Sequence, residues 1–221
     1  MGTATLILGE SGTGKSASLR HIKPEQCLLI QSVRKPLPFR STAWKPLDKS
    51  DRNSSIFVCD TWSRIIEALK AASTLGKEIV VIDDFQYLMA NEFMRRSEEK
   101  SFDKFTEIGA HAWSIIDAAI NKTPDNLRVY FLAHAEETQM GKVKMKTIGR
   151  MLDEKITVEG LFTIVLRTIV RDSQYMFSTQ NSGSDTVKSP MGLFASTEIE
   201  NDLNAVDIAI CEYYGISNKT N

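Results

Sequence analysis

The sequence predicts an α/β domain with a mostly parallel central sheet and a β-rich C-terminal part, and three stretches carry that expectation. An apolar segment, TATLIL at residues 3–8, runs directly into the glycine-rich GESGTGKS of residues 9–16. A second run, EIVVIDD at 78–84, ends in two carboxylates, and a third, LRVYFLA at 127–133, ends in His134. Unbroken aliphatic runs suit strands that are covered on both faces, as parallel strands are. Amphipathic stretches with helical spacing separate them, which is the alternation of α/β folds. A chain of 221 residues fits one such unit, so residues 1–221 are read as a single domain.

The elements follow in order. After the glycine-rich loop, residues 17–22 continue as a helix, and CLLIQ at 27–31 is a short buried strand. Residues 34–52 break the pattern. They hold Pro36, Pro38 and Pro46, a set of basic residues that includes Arg34, Lys35, Arg40 and Lys45, and the aromatics Phe39 and Trp44. Two readings of this excursion stand: a basic, aromatic contact for a nucleic-acid strand, or a solvated loop packed by its own tryptophan. SIFVC at 55–59 is a strand, followed by a helix capped at Asp60 or Thr61, faced by Ile65, Ile66 and Leu69, and closed by Gly76 as its C′ residue. Asp84 can cap a helix over 85–96, and Phe105, Ile108, Ala112, Ile115 and Ala119 keep helical spacing until the region of Pro124. Residues 161–170 are β-rich and pair with QYMFS at 174–178 across a turn at 171–173. Residues 201–214 close the chain as an amphipathic helix with Leu203, Val206, Ile210 and Tyr213 inward, ended by Gly215.

Composition narrows the partners. Hydrophobic content of 42% and charged content of 25% are ordinary for a globular protein, and the net charge of −1 gives no global pull toward a polyanion. Any such site must be local. Three widely spaced cysteines without metal-ligand spacing predict reduced, buried thiols. No apolar run approaches the ~18 residues of a membrane span, and the chain opens at once into a strand, so the expectation is a cytoplasmic protein without a membrane partner.

Residues 9–16 match the phosphate-loop pattern GxxxxGK[ST] at every defined position. Gly9, Gly12 and Gly14 free the backbone so that the N–H groups of Gly9, Glu10, Ser11, Gly12, Thr13, Gly14, Lys15 and Ser16 can turn toward a phosphate. Lys15 reaches the terminal phosphates, Ser16 ligates Mg²⁺, and the next helix points its positive end at the anion. Asp83, at the edge of its strand, fits the carboxylate that holds Mg²⁺, and Asp84 fits a group that polarises attacking water. His134 is a candidate sensor of the γ-phosphate, or alternatively a hydrogen-bonded structural histidine. Lys142, Lys144 and Lys146 alternate on one side of an extended segment that ends at Arg150. That row suits a phosphate backbone or a neighbouring subunit's nucleotide; a solvated hairpin is the alternative.

GESGTGKS, IVVIDD and FLAH followed by a basic loop together resemble the RecA-like P-loop ATPase core. More closely, KTIGRMLDEKITVEGLFTIVLRT at 146–168 resembles small bacteriophage ATP-binding proteins, including the Sak-type single-strand annealing recombinases. The resemblance covers most of the chain and implies a three-layer core in which the His134 strand lies between the phosphate-loop strand and the Asp83 strand. It also implies ATP and Mg²⁺ as ligands, single-stranded DNA as partner, a ring or filament as the assembled form, and a single-strand DNA-binding protein as a further partner in phage DNA recombination. The chain has no counterpart of the N-terminal oligomerisation region or C-terminal domain of full RecA proteins. Asp84 takes the place of their catalytic glutamate, ahead of Glu10 and Glu136. Catalytic roles thus fall to Lys15, Asp84 and His134. Two other functions fit a phosphate loop: a small-molecule or nucleotide kinase, and a nucleotide-dependent loader of a replication protein.

Overall fold

The computed structural model describes residues 2–149 and 151–217. The apolar runs form strands β1 (Thr3–Gly9), β2 (Cys27–Gln31), β4 (Ser54–Val58), β5 (Ile79–Asp83), β6 (Arg128–Glu137) and β8 (Ile164–Arg171). Three short strands and a hairpin partner join them: β3 (Lys45–Pro46), β7 (Val143–Met145), β9 (Gln174–Ser178) and β10 (Glu198–Glu200). The sheet order is β10-β9-β8-β1-β6-β5-β2-β4-β3, with β7 paired to β6 off this path. From β8 through to β3 neighbours run parallel, whereas β9, β10 and β7 pair antiparallel. The fold is therefore mixed α/β with a mostly parallel sheet, and β6 lies between β1 and β5.

Side chains alternate between two cores, as the period of two in a strand requires. Leu6, Leu8, Val80, Ile82, Val129 and Phe131 face one side, where they meet helices α1 (Trp62–Ala71), α2 (Gln86–Arg95) and α3 (Asp103–Asn121). Ile7, Leu29, Val81, Tyr130 and Leu132 face the other, against Leu19 and helix α4 (Leu203–Tyr214). The three cysteines are buried and none is in a disulfide.

Several expectations are corrected. The helix expected over 17–22 is a short 3₁₀ helix at residues 16–21. α1 ends at Ala71, and Gly76, with φ +76°, serves the turn beyond it. Asp84 does not cap α2, because its side chain is engaged elsewhere. Leu203, Val206 and Ile210 of α4 are buried as expected, together with Asp207 and Cys211, but Tyr213 is 44% exposed. Trp44 is 8% exposed and meets the half-buried Phe39 edge-on, so the tryptophan packs the 34–52 excursion and is not presented for stacking on bases.

Asp207 is the polar centre of the second core. It accepts from Arg128 Nε (3.0 Å) and Nη2 (2.9 Å) and from the Tyr130 hydroxyl (2.5 Å), tying α4 to β6. Removing the carboxylate strands a buried guanidinium, a loss typically of about 3–5 kcal/mol. Asp207→Ala is accordingly expected to lower unfolding free energy by about that amount in urea titration; a change under 1 kcal/mol would contradict the assignment.

Candidate functional site

Parallel pairing places the ends of four strands along one edge. Gly9 is in register with His134, Gln31 is in register with Asp83, and Phe85 N donates to Leu132 O at 2.9 Å beside them. Ligands of open α/β sheets bind at this carboxyl edge. The glycine-rich loop rises from β1 there. Glu10, Ser11 and Gly12 are exposed at its rim, and Thr13 and Gly14 are half-buried.

Glycine is required for different reasons along the loop. Gly12 and Gly14 have φ of +79° and +98°, in the region where a Cβ is costly. Gly9 has no such backbone. It is needed because a Cβ there would sit 1.8 Å from Thr168 Oγ1. Thr168, on β8, also lies 2.6 Å from Thr13 Oγ1, and Thr13 donates to Glu10 O at 2.8 Å, so β8 braces the loop from below. Tyr175 and Asn201 crowd Gly14 from the C-terminal part, at 3.0 and 3.2 Å from where its Cβ would lie.

Two lysines and two aspartates meet in the cleft. Lys15, 6% exposed, donates to Gly9 O (2.9 Å) and Glu10 O (2.8 Å). Burial holds its ammonium down at about 8, against the opposing pull of Asp84 and Asp83. The Ser16 hydroxyl lies 3.0 Å from both carboxylate oxygens of Asp83. Burial, and then the charge of Asp84, push Asp83 up to about 6, while the Ser16 contact and the lysines oppose them. Asp84 takes a left-handed backbone, φ +57°, which an aspartate tolerates better than most residues. Its carboxylate accepts from Lys35 Nζ and faces His134 Nε2 at 3.4 Å. Burial lowers Lys35, but the hydrogen bond and charge of Asp84 outweigh it and hold the ammonium above its ordinary value. Burial and then the charge of Lys15 keep His134 below its usual range.

The cleft, about 510 Å³, is lined by Ser11, Gly12, Gly14, Lys15, Ser16, Lys35, Asp84, His134 and Tyr175 among others. A larger hollow of about 660 Å³ at the start of β1 is lined by residues such as Thr3, Ile120, Leu161 and Tyr214, and Asp125 is the one carboxylate in its lining. It gathers no comparable set of charges. Ser16 and Asp83 offer hard oxygen donors of the kind Mg²⁺ takes when it keeps waters and phosphate oxygens as its other ligands, so the pair fits that ion. Among the described residues no group of three or more His, Cys, Asp or Glu side chains forms a protein-only metal site.

The structure thus gathers Lys15, Ser16, Asp83, Asp84 and His134 in one cleft. The six-residue 3₁₀ helix after the loop offers little aligned dipole, which leaves the loop N–H groups as the anion donors. Lys142, Lys144 and Lys146 project outward from β7 and its flanks while Val143 and Met145 point in; Lys144 Nζ lies 3.6 Å from Glu136. Lys146 N donates to His134 O at 2.8 Å, joining this row to the cleft. Arg150 lies outside the described residues. Sequence reasoning missed Thr168, Tyr175 and Asn201, which no local pattern marks, and left Lys35 within a loop read for its average charge. No family model matches the chain, and no curated protein matches it.

Gly9→Ala forces the loop off Thr168 and is expected to cost about 1–3 kcal/mol of stability. Gly9→Ala/Thr168→Ala should recover most of that loss in denaturant titration. Equal loss in the single and double variants would show that the contact is not the cause.

Proposed function

We propose that the chain is a Mg²⁺-dependent ATPase with a RecA-like three-layer core, coupling nucleotide state to single-stranded DNA binding or annealing in phage recombination. The observation that carries this reading is the contact of Ser16 with both oxygens of Asp83, with Lys15 buried beside it. A glycine-rich turn with no anion to bind has no need of that arrangement.

Ser16 and Asp83 would hold Mg²⁺, which neutralises charge on the terminal phosphates. The loop N–H groups and Lys15 bind the β- and γ-phosphates; each charge-assisted hydrogen bond contributes about 1.5–3 kcal/mol. In the hydrolytic step a water oxygen bonds to the γ-phosphorus as the bond to the bridging oxygen breaks, and ADP leaves with that electron pair. Asp84 accepts the water proton and passes it to solvent. His134, held neutral, orients the Asp84 carboxylate from Nε2 and reports on the γ-phosphate through the chain.

The direct bond from Lys146 to His134 supports the coupling to DNA: a shift of the β6 tip moves the basic row with it. Lys142, Lys144 and Lys146, with Arg150, are the DNA contacts of this reading. Assembly into a ring or filament and a single-strand DNA-binding protein as partner belong to the same proposal. No helix among the described residues is long and apolar enough to cross a membrane, and we place the protein in the cytoplasm, that of the host if a phage encodes it.

Hydrolysis of ATP is expected to require Mg²⁺, to rise with single-stranded DNA, and to vanish in Lys15→Ala. Changing Lys142, Lys144 and Lys146 together to Ala should weaken DNA binding and flatten its salt dependence. Turnover that survives Lys15→Ala would remove the active-site assignment; unchanged DNA affinity in the triple variant would remove the basic row.

A further inference from the structure

The 34–52 excursion puts a second cation into the phosphate cleft. Lys35 lines it together with Lys15, Ser16 and Asp84, and Pro36 and Pro38 stand beside it in the wall. Its backbone is anchored: Gln31 Nε2 donates to Lys35 O at 3.0 Å, and Leu37 and Trp44 are each 8% exposed in the second core. Its side chain is not locked in. It reaches across to the Asp84 carboxylate while 44% of it stays accessible, whereas that carboxylate is 4% exposed.

Charge decides what this arrangement can do. Lys15 and Lys35 balance Asp83 and Asp84, and all four converge on one cleft. A triphosphate remains anionic even with Mg²⁺ beside it, so its terminal oxygens meet Asp84 as a like charge unless a cation stands between them. Lys15 approaches from the loop side, on the carbonyls of Gly9 and Glu10, and Lys35, already on Asp84, is the cation placed to stand between that carboxylate and the phosphate.

Resting on the nucleotide reading above, we propose that Lys35 is the second phosphate-binding cation of the site, supplied by the chain itself. It holds Asp84 in the free protein and turns to the γ-phosphoryl oxygens when a triphosphate enters. The excursion for which the sequence left open a nucleic-acid contact or a solvated loop is then part of the nucleotide site. Asp84 keeps its place through His134 as Lys35 leaves, and its carboxylate becomes available to water.

The test compares ATP and ADP affinity, with Mg²⁺ present, for the wild type, Lys35→Ala, Lys35→Arg, Asp84→Asn and Lys35→Ala/Asp84→Asn, with thermal unfolding as the folding control. Lys35→Ala is expected to weaken ATP about tenfold or more, the loss of one charge-assisted hydrogen bond, while ADP binding stays within about twofold. Lys35→Arg should restore most of the ATP affinity. The double variant distinguishes contact from simple neutralisation. If Lys35 touches phosphate, the double variant binds ATP more weakly than Asp84→Asn alone. Equal ATP affinity in those two variants, or a parallel loss for ATP and ADP in Lys35→Ala, or no loss at all, overturns the proposal and leaves the nucleotide site standing. A wild type that binds neither nucleotide removes the underlying reading and this one with it.

Discussion

The contact between the Ser16 hydroxyl and the Asp83 carboxylate joins two parts of the chain that only the sheet can bring together. Ser16 follows a loop rising from β1, and Asp83 ends β5, with β6 between them. The pairing depends on register. A slip of one residue would turn Asp83 to the opposite face and send its apolar neighbours into the wrong core. The buried alternation of Ile79, Val80, Val81 and Ile82 between two cores therefore does more than stabilise the sheet. It fixes where a carboxylate emerges at the edge.

Two adjacent buried carboxylates are costly unless cations and hydrogen bonds meet them. Asp83 has Ser16, Asp84 has Lys35 and His134, and Lys15 stands near both. Asp84 takes a left-handed backbone at the end of the strand, the conformation that Asp172 and Ser173 take in the turn between β8 and β9. The cleft and the Asp207 network illustrate opposite uses of buried charge. Asp207 is fully answered by Arg128 and Tyr130 and holds an element in place. The cleft's charges answer one another through partly exposed groups: the side chains of Lys35 and His134 are 44% and 22% accessible.

Much of this was legible because it is periodic or motif-bound. The apolar runs gave the main strands, and GESGTGKS with IVVIDD placed Lys15, Ser16 and Asp83 in one site before any coordinates. What stayed hidden depends on contacts between distant residues. Thr168 underlies Gly9, and Asn201 and Tyr175 wall Gly14, from positions in a β-rich tail with no pattern pointing back to the loop. Lys35 belongs to a proline-broken stretch whose average charge said more than any single residue. The helix expected after Ser16 takes the 3₁₀ form, a distinction that apolar spacing over six residues does not carry.

On the reading proposed, residues 9–16, with Asp83, form a binding site for a Mg²⁺-bound nucleoside triphosphate. Isothermal titration of the whole protein with ATP, with Mg²⁺ and with chelator in its place, tests it most directly. One site per chain is expected, tighter with Mg²⁺ than without, with that gain abolished by Asp83→Asn. Binding of equal strength under both conditions, or no binding under either, would contradict it.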